Sequence, residues 1–340
     1  MQKIILFLII SVFVFSCKPS GEKVGENKAH TDSLMIALNS PELKSINQKI
    51  LDNPNDAALY MERAKLYFKL KQLAEAINDT RRALSIDTTN ATIYLTQADI
   101  FFAANETRNA KDVLEKIVKK FPENTDGLLK LAELFYFVKQ YDNAFSKINQ
   151  ALKINENLAK AYYLKGSIYK EIGDTTKAVS SLETAVEQDN RNFGAFLDLG
   201  LIYAARKNPL AFEYYDNAIA INPMSTGVLY AKAKLLQDLD KTDEAIAYYN
   251  RTLAIDSLHT YSLYNLGALT LSFKKDVTKS ITYFTKAITV DPKYAEAYFA
   301  RGVCYQELKD KDRAYSDYNT CLQLKPNYEP AVEGLNSLRK

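Results

Sequence analysis

The stretch AKAYYLKGSIYKEIGDTTKAVSSLETAVEQDNRN, residues 159–192, decides the fold of this chain. Tyr162, Gly166 and Tyr169 lie at i, i+4 and i+7, which puts them on one face of a helix. Gly173-Asp174 then interrupts the helical pattern, because glycine and aspartate favour turns. A second helical stripe follows this turn and consists of Ala178, Leu182 and Ala185. The stretch therefore predicts two helices joined by a turn.

This hairpin pattern recurs with a period of 34 residues between Ala57 and Tyr328. Eight copies can be set in register, at residues 57–90, 91–124, 125–158, 159–192, 193–225, 226–259, 260–294 and 295–328. A fixed period of this length is the signature of a stacked helical array, in which each hairpin packs on its neighbours. We therefore predict an all-α solenoid over residues 57–328.

Small residues recur at fixed places in the copies, where two helices have to cross closely. The first place is occupied by Ala64, Ala98, Ala132, Gly166, Gly200, Ala233, Gly267 and Gly302. The second is occupied by Ala76, Ala110, Ala144, Ala178, Ala211, Ala245, Ser280 and Ala314. A third place, seven residues later, is less regular and holds Ile117 in one copy. Prolines that stop the second helix recur near the repeat end, at Pro122, Pro223, Pro292 and Pro326.

Two stretches match the tetratricopeptide repeat pattern at nearly every defining position, RGVCYQEL…RAYSDYNTCLQLKPN (301–327) and AKAKLLQDLDKTDEAIAYYNRTLAID (231–256). The chain resembles this family over residues 57–328. The resemblance implies a right-handed α-solenoid of about eight helix–turn–helix hairpins with capping helices at both ends. The sequence departs from the family pattern in lacking tryptophan at the fourth position, in one missing residue near Asn208-Pro209 and in one extra residue between Phe273 and Ser280.

The segments that flank the repeats are predicted to cap the array. Residues 32–56 form the N-terminal cap, with Ser40 as a helix N-cap and Pro41 in the first turn. An apolar stripe in this cap is expected to cover the first repeat and consists of Leu43, Ile46, Ile50 and Leu51. Residues 329–340, EPAVEGLNSLRK, are expected to form an amphipathic helix that covers the other end.

Residues 1–16 have the pattern of an export signal, in which Lys3 precedes an apolar run that only Ser11 interrupts. The run is shorter than the roughly 20 residues of a membrane-spanning helix and suits a signal-peptide core. The sequence VFSC that ends at Cys17 resembles a bacterial lipobox, in which a small residue precedes the cysteine to be lipidated. We predict export, cleavage before Cys17 and diacylation of Cys17. An ordinary cleaved signal and an uncleaved anchor are the alternatives.

Residues 17–31 combine charged and turn-forming residues without apolar periodicity, which predicts a flexible tether. A coil of this length has an r.m.s. span of about 20 Å, so the repeats would stay close to the membrane without entering it. Lys18 stands where an aspartate would favour inner-membrane retention in many Gram-negative bacteria. We therefore expect a lipid-anchored protein of the bacterial cell envelope, at the outer membrane.

Composition disfavours nucleic-acid binding and catalysis. The formal net charge is +3, and basic and acidic residues are interspersed, whereas nucleic-acid binding needs a clustered basic footprint. The two histidines are His30, in the tether, and His259, in an inter-repeat turn, which disfavours a histidine metal site or a nucleophile–histidine pair. The sequence has no glycine-rich phosphate loop and no nucleophile elbow. We expect no enzyme activity, no cofactor, no metal site and no small-molecule substrate.

Cys304 and Cys321 lie on the two helices of the last hairpin. In an oxidising periplasm two such thiols are able to form a disulfide. Both also occupy positions where the tetratricopeptide repeat family accepts small apolar residues, and a buried free cysteine behaves as one. The sequence leaves both states open and favours two buried thiols.

In the tetratricopeptide repeat family, the second, fifth, ninth and twelfth residues of each first helix line a concave groove. The resemblance therefore implies a partner-binding groove of large apolar and aromatic side chains, of the kind that anchors a bound segment. The predicted groove residues are Phe68, Leu95, Phe102, Leu129, Tyr136, Lys160, Tyr163, Leu197, Leu201, Tyr230, Lys234, Tyr264 and Phe299. Aromatic residues are common at these positions of the family whatever is bound, so the alternative is that they carry no information about a ligand.

Charge along this predicted groove is uneven. Acidic residues occupy repeats two and three, at Asp99, Asp126 and Glu133. Basic residues occupy repeats four and six, at Lys160, Lys170 and Lys234. Repeat five is uncharged around Leu197, and we expect an apolar anchor of a partner to bind there. No repeat has lysine at its fifth and asparagine at its ninth position, so the family's carboxylate clamp is not expected.

These features predict a non-catalytic protein-interaction scaffold that binds an extended or helical segment of a partner protein in its groove. It resembles repeat-bearing lipoproteins of pilus assembly, of outer-membrane protein assembly, and of gliding or type IX secretion. The alternative is a structural envelope protein that associates with itself and holds no ligand in the groove. Concentration-dependent self-association would favour that alternative, and saturable binding of a peptide to the monomer would favour the scaffold.

Overall fold

The computed structural model describes residues 40–339, and in that part of the chain all regular structure is helical. Its eighteen α-helices are α1 Pro41–Asp52, α2 Ala57–Lys69, α3 Leu73–Ile86, α4 Ala91–Ala103, α5 Thr107–Lys120, α6 Thr125–Phe137, α7 Tyr141–Ile154, α8 Ala159–Glu171, α9 Thr175–Gln188, α10 Phe193–Ala205, α11 Leu210–Ile221, α12 Thr226–Asp238, α13 Thr242–Ile255, α14 Thr260–Ser272, α15 Val277–Val290, α16 Ala295–Glu307, α17 Lys311–Leu324 and α18 Glu329–Leu338. The prediction of an all-α repeat fold is confirmed. The predicted export signal, Cys17 and the predicted tether lie outside the described residues.

Each repeat contributes a first helix and a second helix, from the pair α2 and α3 to the pair α16 and α17. The second helices have 14 residues, except α11, which has 12. Four residues connect the helices at 206–209 and at 273–276, where the other hairpins use three. These two irregular turns are the ones at which the sequence lacks or gains a residue.

The chain divides into two compact units, the first ending at Gly127 and the second beginning at Leu128. In unit 1 the Arg63 guanidinium on α2 donates two hydrogen bonds of 2.7 Å to the Asp79 carboxylate on α3. In unit 2 Arg301 on α16 makes the same bidentate pair with Asp317 on α17, with two bonds of 2.8 Å. Each pair therefore joins the two helices of one repeat by the strongest kind of protein hydrogen bond.

A small residue at the eighth position of a repeat makes room for a large side chain from its own second helix. A Cβ atom added to Gly200 would lie 2.6 Å from the Tyr215 ring, and one added to Gly267 would lie 2.7 Å from the Phe284 ring. The two rings are 1% and 0% exposed, so neither is free to move aside. The backbones of the two helices thus cross at a separation that a larger residue at this position would prevent.

The turn inside each repeat requires one residue in the left-handed backbone region. Gly173 supplies it in repeat four, with a φ of 83°. The other repeats make the same turn without glycine, and their left-handed residues, with φ between 50° and 62°, are Lys71, Asn105, Lys139, Lys207, Asp240, Lys275 and Lys309. The glycine of repeat four is therefore not the signal that defines the turn throughout the chain.

Backbone hydrogen bonds hold these left-handed residues in place. In repeat three the Lys139 N–H donates to the Tyr136 carbonyl at 2.9 Å, and the Gln140 N–H donates to the Phe135 carbonyl at 2.8 Å. This is the Schellman arrangement, which satisfies carbonyls left over at a helix C-terminus. A residue with a Cβ atom at this position carries a steric cost that glycine avoids.

The N-terminal cap contains one described helix, α1, whose N-cap Ser40 side chain accepts from the Leu43 N–H at 3.3 Å. Its buried apolar residues are Leu43, Ile46 and Ile50. The expectation that Leu51 joins this stripe is wrong, since Leu51 is 74% exposed. It follows Ile50 by one residue, and one residue turns a helix by about 100°. At the other end α18 buries Ala331.

Replacing Lys139 with glycine is expected to raise the free energy of unfolding by about 0.5–1 kcal/mol, because the left-handed strain is removed. Lys147→Gly, inside α7 of the same hairpin, is the matched control and is expected to lower it by about 1 kcal/mol. Urea unfolding followed by circular dichroism measures both. A midpoint for Lys139→Gly at or below that of the wild type would contradict this account.

Candidate partner-binding groove

The candidate site is the groove face, which we define as the second, fifth, ninth and twelfth residues of the first helices of each unit. Helical spacing puts these four positions on one side of a helix, away from the eighth position that packs on the second helix. Most of the predicted groove residues are partly or well exposed there. Phe102 and Leu201 are 40% and 43% exposed, and Lys160 and Lys234 are also exposed.

The half-buried members of the predicted set are Phe68, Leu95, Tyr136, Tyr163, Leu197, Tyr230, Tyr264 and Phe299. Leu129 differs from them, because it is 2% exposed and belongs to the apolar interior. The prediction that Leu129 contacts a partner is therefore wrong. The fifth position alone does not decide whether a side chain reaches the surface.

The lysines of the groove face are paired with acidic side chains. Lys160 Nζ lies 2.9 Å from Glu133 Oε1 on the preceding first helix. Lys170 likewise pairs with Asp198 on the following first helix, and Lys234 pairs with Asp238 one turn away at 2.6 Å. The positive charges predicted for repeats four and six are therefore neutralised by neighbouring carboxylates. These pairs are exposed at one or both partners, and such pairs contribute only about 0–1 kcal/mol to stability.

Glu171 lies on α8 next to the groove face and is held by two tyrosine hydroxyls. Tyr141 Oη donates to its Oε2 at 2.5 Å and Tyr136 Oη donates to its Oε1 at 3.0 Å. These hydrogen bonds, the one from Tyr141 first, hold the pKa of Glu171 below its usual value. Burial raises the pKa of Tyr163, further along the same face. Both groups therefore keep their ordinary neutral-pH charge, and neither is poised for acid–base chemistry.

Repeats six to eight contain an aromatic ladder that combines fifth-position rings with the ring that precedes the next helix. The ring centroids of Tyr230 and His259 are 5.2 Å apart, those of Tyr264 and Tyr294 5.0 Å, and those of Phe299 and Tyr328 5.3 Å. Such separations are typical of favourable aromatic pairs. His259, Tyr294 and Tyr328 are not among the predicted groove residues, although an aromatic residue at the last position of three successive repeats indicates such a row.

Two buried tyrosines are anchored by glutamines at the twelfth position. Tyr249 Oη donates to Gln237 Oε1, and Tyr318 Oη donates to Gln306 Oε1, both at 2.7 Å. Tyr249 and Tyr318 are 0% and 1% exposed, so each hydroxyl needs such an acceptor. In these repeats the twelfth position therefore serves the interior as well as the surface.

Cys304 and Cys321 are both buried free thiols in the structure. Burial raises the pKa of Cys304 to about 12 and also raises the pKa of Cys321. A thiol in this state is a poor nucleophile, because the thiolate is the reactive form. Within residues 40–339 no group of histidine, cysteine, aspartate and glutamate side chains is arranged to hold a metal ion. Among the same residues no helix is long and apolar enough to cross a membrane.

A row of packed helical hairpins with an apolar and aromatic groove face defines a helical-repeat protein. Tetratricopeptide repeat models match the chain at residues 57–90, 93–124, 159–192, 226–257, 260–294 and 295–328. The chain belongs to the tetratricopeptide repeat family. Tetratricopeptide repeats are protein-interaction scaffolds that bind protein partners, and proteins built from them are generally non-catalytic.

Known proteins are similar to this chain at low sequence identity. The C-terminal part of a repeat protein from Cytophaga hutchinsonii is 20% identical, with a TM-score of 0.58 over 70% of this chain and 98% of that one. PilF of Pseudomonas aeruginosa is 21% identical, with a TM-score of 0.53 over 65% of this chain and 97% of that one. A DnaJ homolog subfamily C member 7 homolog of Dictyostelium discoideum is 22% identical over 91% of this chain, which spans 62% of that protein.

Proposed function

We propose that this chain is a non-catalytic adaptor that holds an extended or helical segment of a partner protein against the groove face of unit 2. The observation that supports this most is the combination of half-buried apolar and aromatic side chains with lysines that are already paired. Tyr163, Leu197 and Tyr230 offer apolar contact area, while the neighbouring lysines are neutralised. Surfaces of this kind bind through a few apolar anchors and need little charge complementarity.

The proposal includes a location in the bacterial cell envelope, with the chain exported and anchored by lipid on Cys17. Support comes from the sequence of residues 1–17, in which an apolar run ends at a cysteine preceded by a small residue. Lys18 favours the outer membrane over the inner one. An adaptor fixed to a membrane by one lipidated end meets membrane-associated partners at a raised effective concentration.

Photo-crosslinking in the native host tests the groove. Probes at Leu197 and Tyr230 are expected to capture the same discrete protein, because both side chains are partly exposed on the groove face. A probe at Glu187, exposed on the second helix α9, is the control and is expected to capture nothing specific. Equal capture from all three probes, or capture only of further copies of this chain, would contradict the adaptor and favour a structural protein.

The variant Leu197→Asp, combined with the probe at Tyr230, is expected to reduce capture about tenfold, since an apolar anchor would have to bury a carboxylate. Tyr315→Asp places the same carboxylate on a 52% exposed side chain of the second helix α17 and is expected to leave capture unchanged. Circular dichroism melting shows whether each variant is folded. Undiminished capture by folded Leu197→Asp would contradict the proposal that an apolar anchor of the partner binds at repeat five.

The lipid anchor is tested by replacing Cys17 with alanine. The wild type, expressed in a Gram-negative host, is expected to incorporate radiolabelled palmitate, and Cys17→Ala is expected not to, because it lacks the thiol that carries the lipid. Cys304→Ala, which removes a buried thiol, is the control and should retain the label. Unlabelled wild type, or palmitate labelling that survives Cys17→Ala, would contradict the lipoprotein assignment.

A further inference from the structure

A pocket of about 500 Å³ lies at the C-terminal end of unit 2, between α16 and α18. Its apolar walls are formed by Phe299, Val303, Tyr318 and Pro330. Phe299 and Val303 are the fifth and ninth residues of the last repeat, so the pocket belongs to the groove face. It is open to solvent.

The floor of this pocket is fixed. A Cβ atom added to Gly302 would lie 2.8 Å from the Tyr318 ring and one added to Gly334 would lie 2.7 Å from it, so both backbones approach the ring closely. Gln306 accepts from the Tyr318 hydroxyl at 2.7 Å and donates through Nε2 to Ser337 Oγ at 3.0 Å. The neutral polar groups of the pocket are therefore already bonded to one another.

Two carboxylates, Glu307 and Glu333, complete the lining and have no such partners. The first helices of unit 2 carry the acidic residues Glu133, Glu171, Asp198, Asp238, Glu296 and Glu307. All of these except Glu307 make an ion pair or a hydrogen bond with another side chain. Among residues 128–339, neither Glu307 nor Glu333 makes one.

Comparison of repeats six and eight explains why Glu307 has no partner among the residues that the structure describes. Asp238 is the thirteenth residue of repeat six, and Lys234, four residues earlier, pairs with it at 2.6 Å. Glu307 is the thirteenth residue of repeat eight, but the corresponding place is taken by Val303. Repeat eight therefore has an acidic residue at its thirteenth position but no lysine at its ninth position to pair with it.

We propose that this pocket receives an arginine or lysine side chain of the bound segment, and this inference rests on the proposed function of the groove. The aliphatic stem of such a side chain would lie against Val303 and Pro330, and its cationic head would reach Glu307 and Glu333. The half-buried Phe299 ring adds an attraction for the cation. The chain supplies no cation of its own there among the described residues, so the partner provides it.

Selection from a phage-displayed library of random twelve-residue peptides tests this. The bait is the chain from residue 18 to residue 340, without the predicted export signal and Cys17. Peptides selected by the wild type are expected to share a basic residue at a fixed distance from apolar ones. The double variant Glu307→Gln/Glu333→Gln is expected to select apolar peptides without that basic residue. Glu187→Gln/Glu213→Gln, two exposed glutamates on second helices, is the charge-matched control and should keep the preference.

Val303→Lys is an independent variant that does not alter either glutamate. It recreates in repeat eight the spacing of Lys234 and Asp238, so it supplies the missing cation internally. It is expected to lose the basic preference as the double glutamine variant does. Because both glutamates stay in place, it keeps the proposal testable if the glutamine variants fold poorly.

The affinity of a selected peptide, synthesised with a fluorophore, measures how much its basic residue contributes to binding. Replacing its arginine with citrulline, or its lysine with acetyl-lysine, removes the positive charge and is expected to weaken binding to the wild type about tenfold, as for loss of a charged hydrogen bond. The same replacement should weaken binding to Glu307→Gln/Glu333→Gln less than about twofold. Selected peptides without a basic residue would overturn this inference and leave the proposed function intact. Failure to select any groove-dependent peptide would overturn both.

Discussion

The close crossing of the two helices of each repeat is the constraint on which the rest of the structure depends. At Gly267 the space that a Cβ atom would need is filled by the ring of Phe284, from the second helix of the same repeat. The eighth position is always alanine or glycine, so a close crossing of the two helices is possible in every repeat. The side of each first helix that faces away from this crossing is then free to form the groove face.

The groove face is mainly apolar in character because its lysines are paired with carboxylates of the same chain. Lys160 with Glu133 and Lys170 with Asp198 join neighbouring first helices, so these cations are not available to attract an anionic partner. What remains exposed is mostly apolar and aromatic surface, which suits a partner bound by shape and apolar contact. The pocket beside Glu307 is the exception, because there the internal cation is missing.

Periodicity predicted the fold well because it reports packing directly. The small residues, the all-α hairpins and the irregular turns near Asn208 and Phe273 all follow from spacing in one sequence. Leu51 and Leu129 were misjudged because burial depends on which face meets a neighbour, and apolar character alone does not fix that face. The left-handed Lys139 was not predicted, since lysine has no preference for that region and only the Schellman bonds hold it there.

The sequence predicted which positions form the groove, but it did not predict the ion pairs and ring contacts that these residues make. The two ion pairs that join neighbouring first helices on the groove face link residues 27 and 28 apart, such as Lys160 with Glu133, and nothing in the local sequence marks them. The aromatic ladder was missed for a different reason. Tyr294 and Tyr328 fall in the turns between repeats, outside the helix positions from which the groove was read.

A double-mutant cycle on Gly267 and Phe284 tests the central claim most directly. Gly267→Ala alone is expected to lower the free energy of unfolding by about 1–3 kcal/mol, because the new methyl group overlaps the ring. With Phe284→Leu already present, the same change is expected to cost at least about 1 kcal/mol less, since the smaller side chain leaves room for it. Effects that add to within about 0.5 kcal/mol would show that this crossing does not control the packing of the repeat.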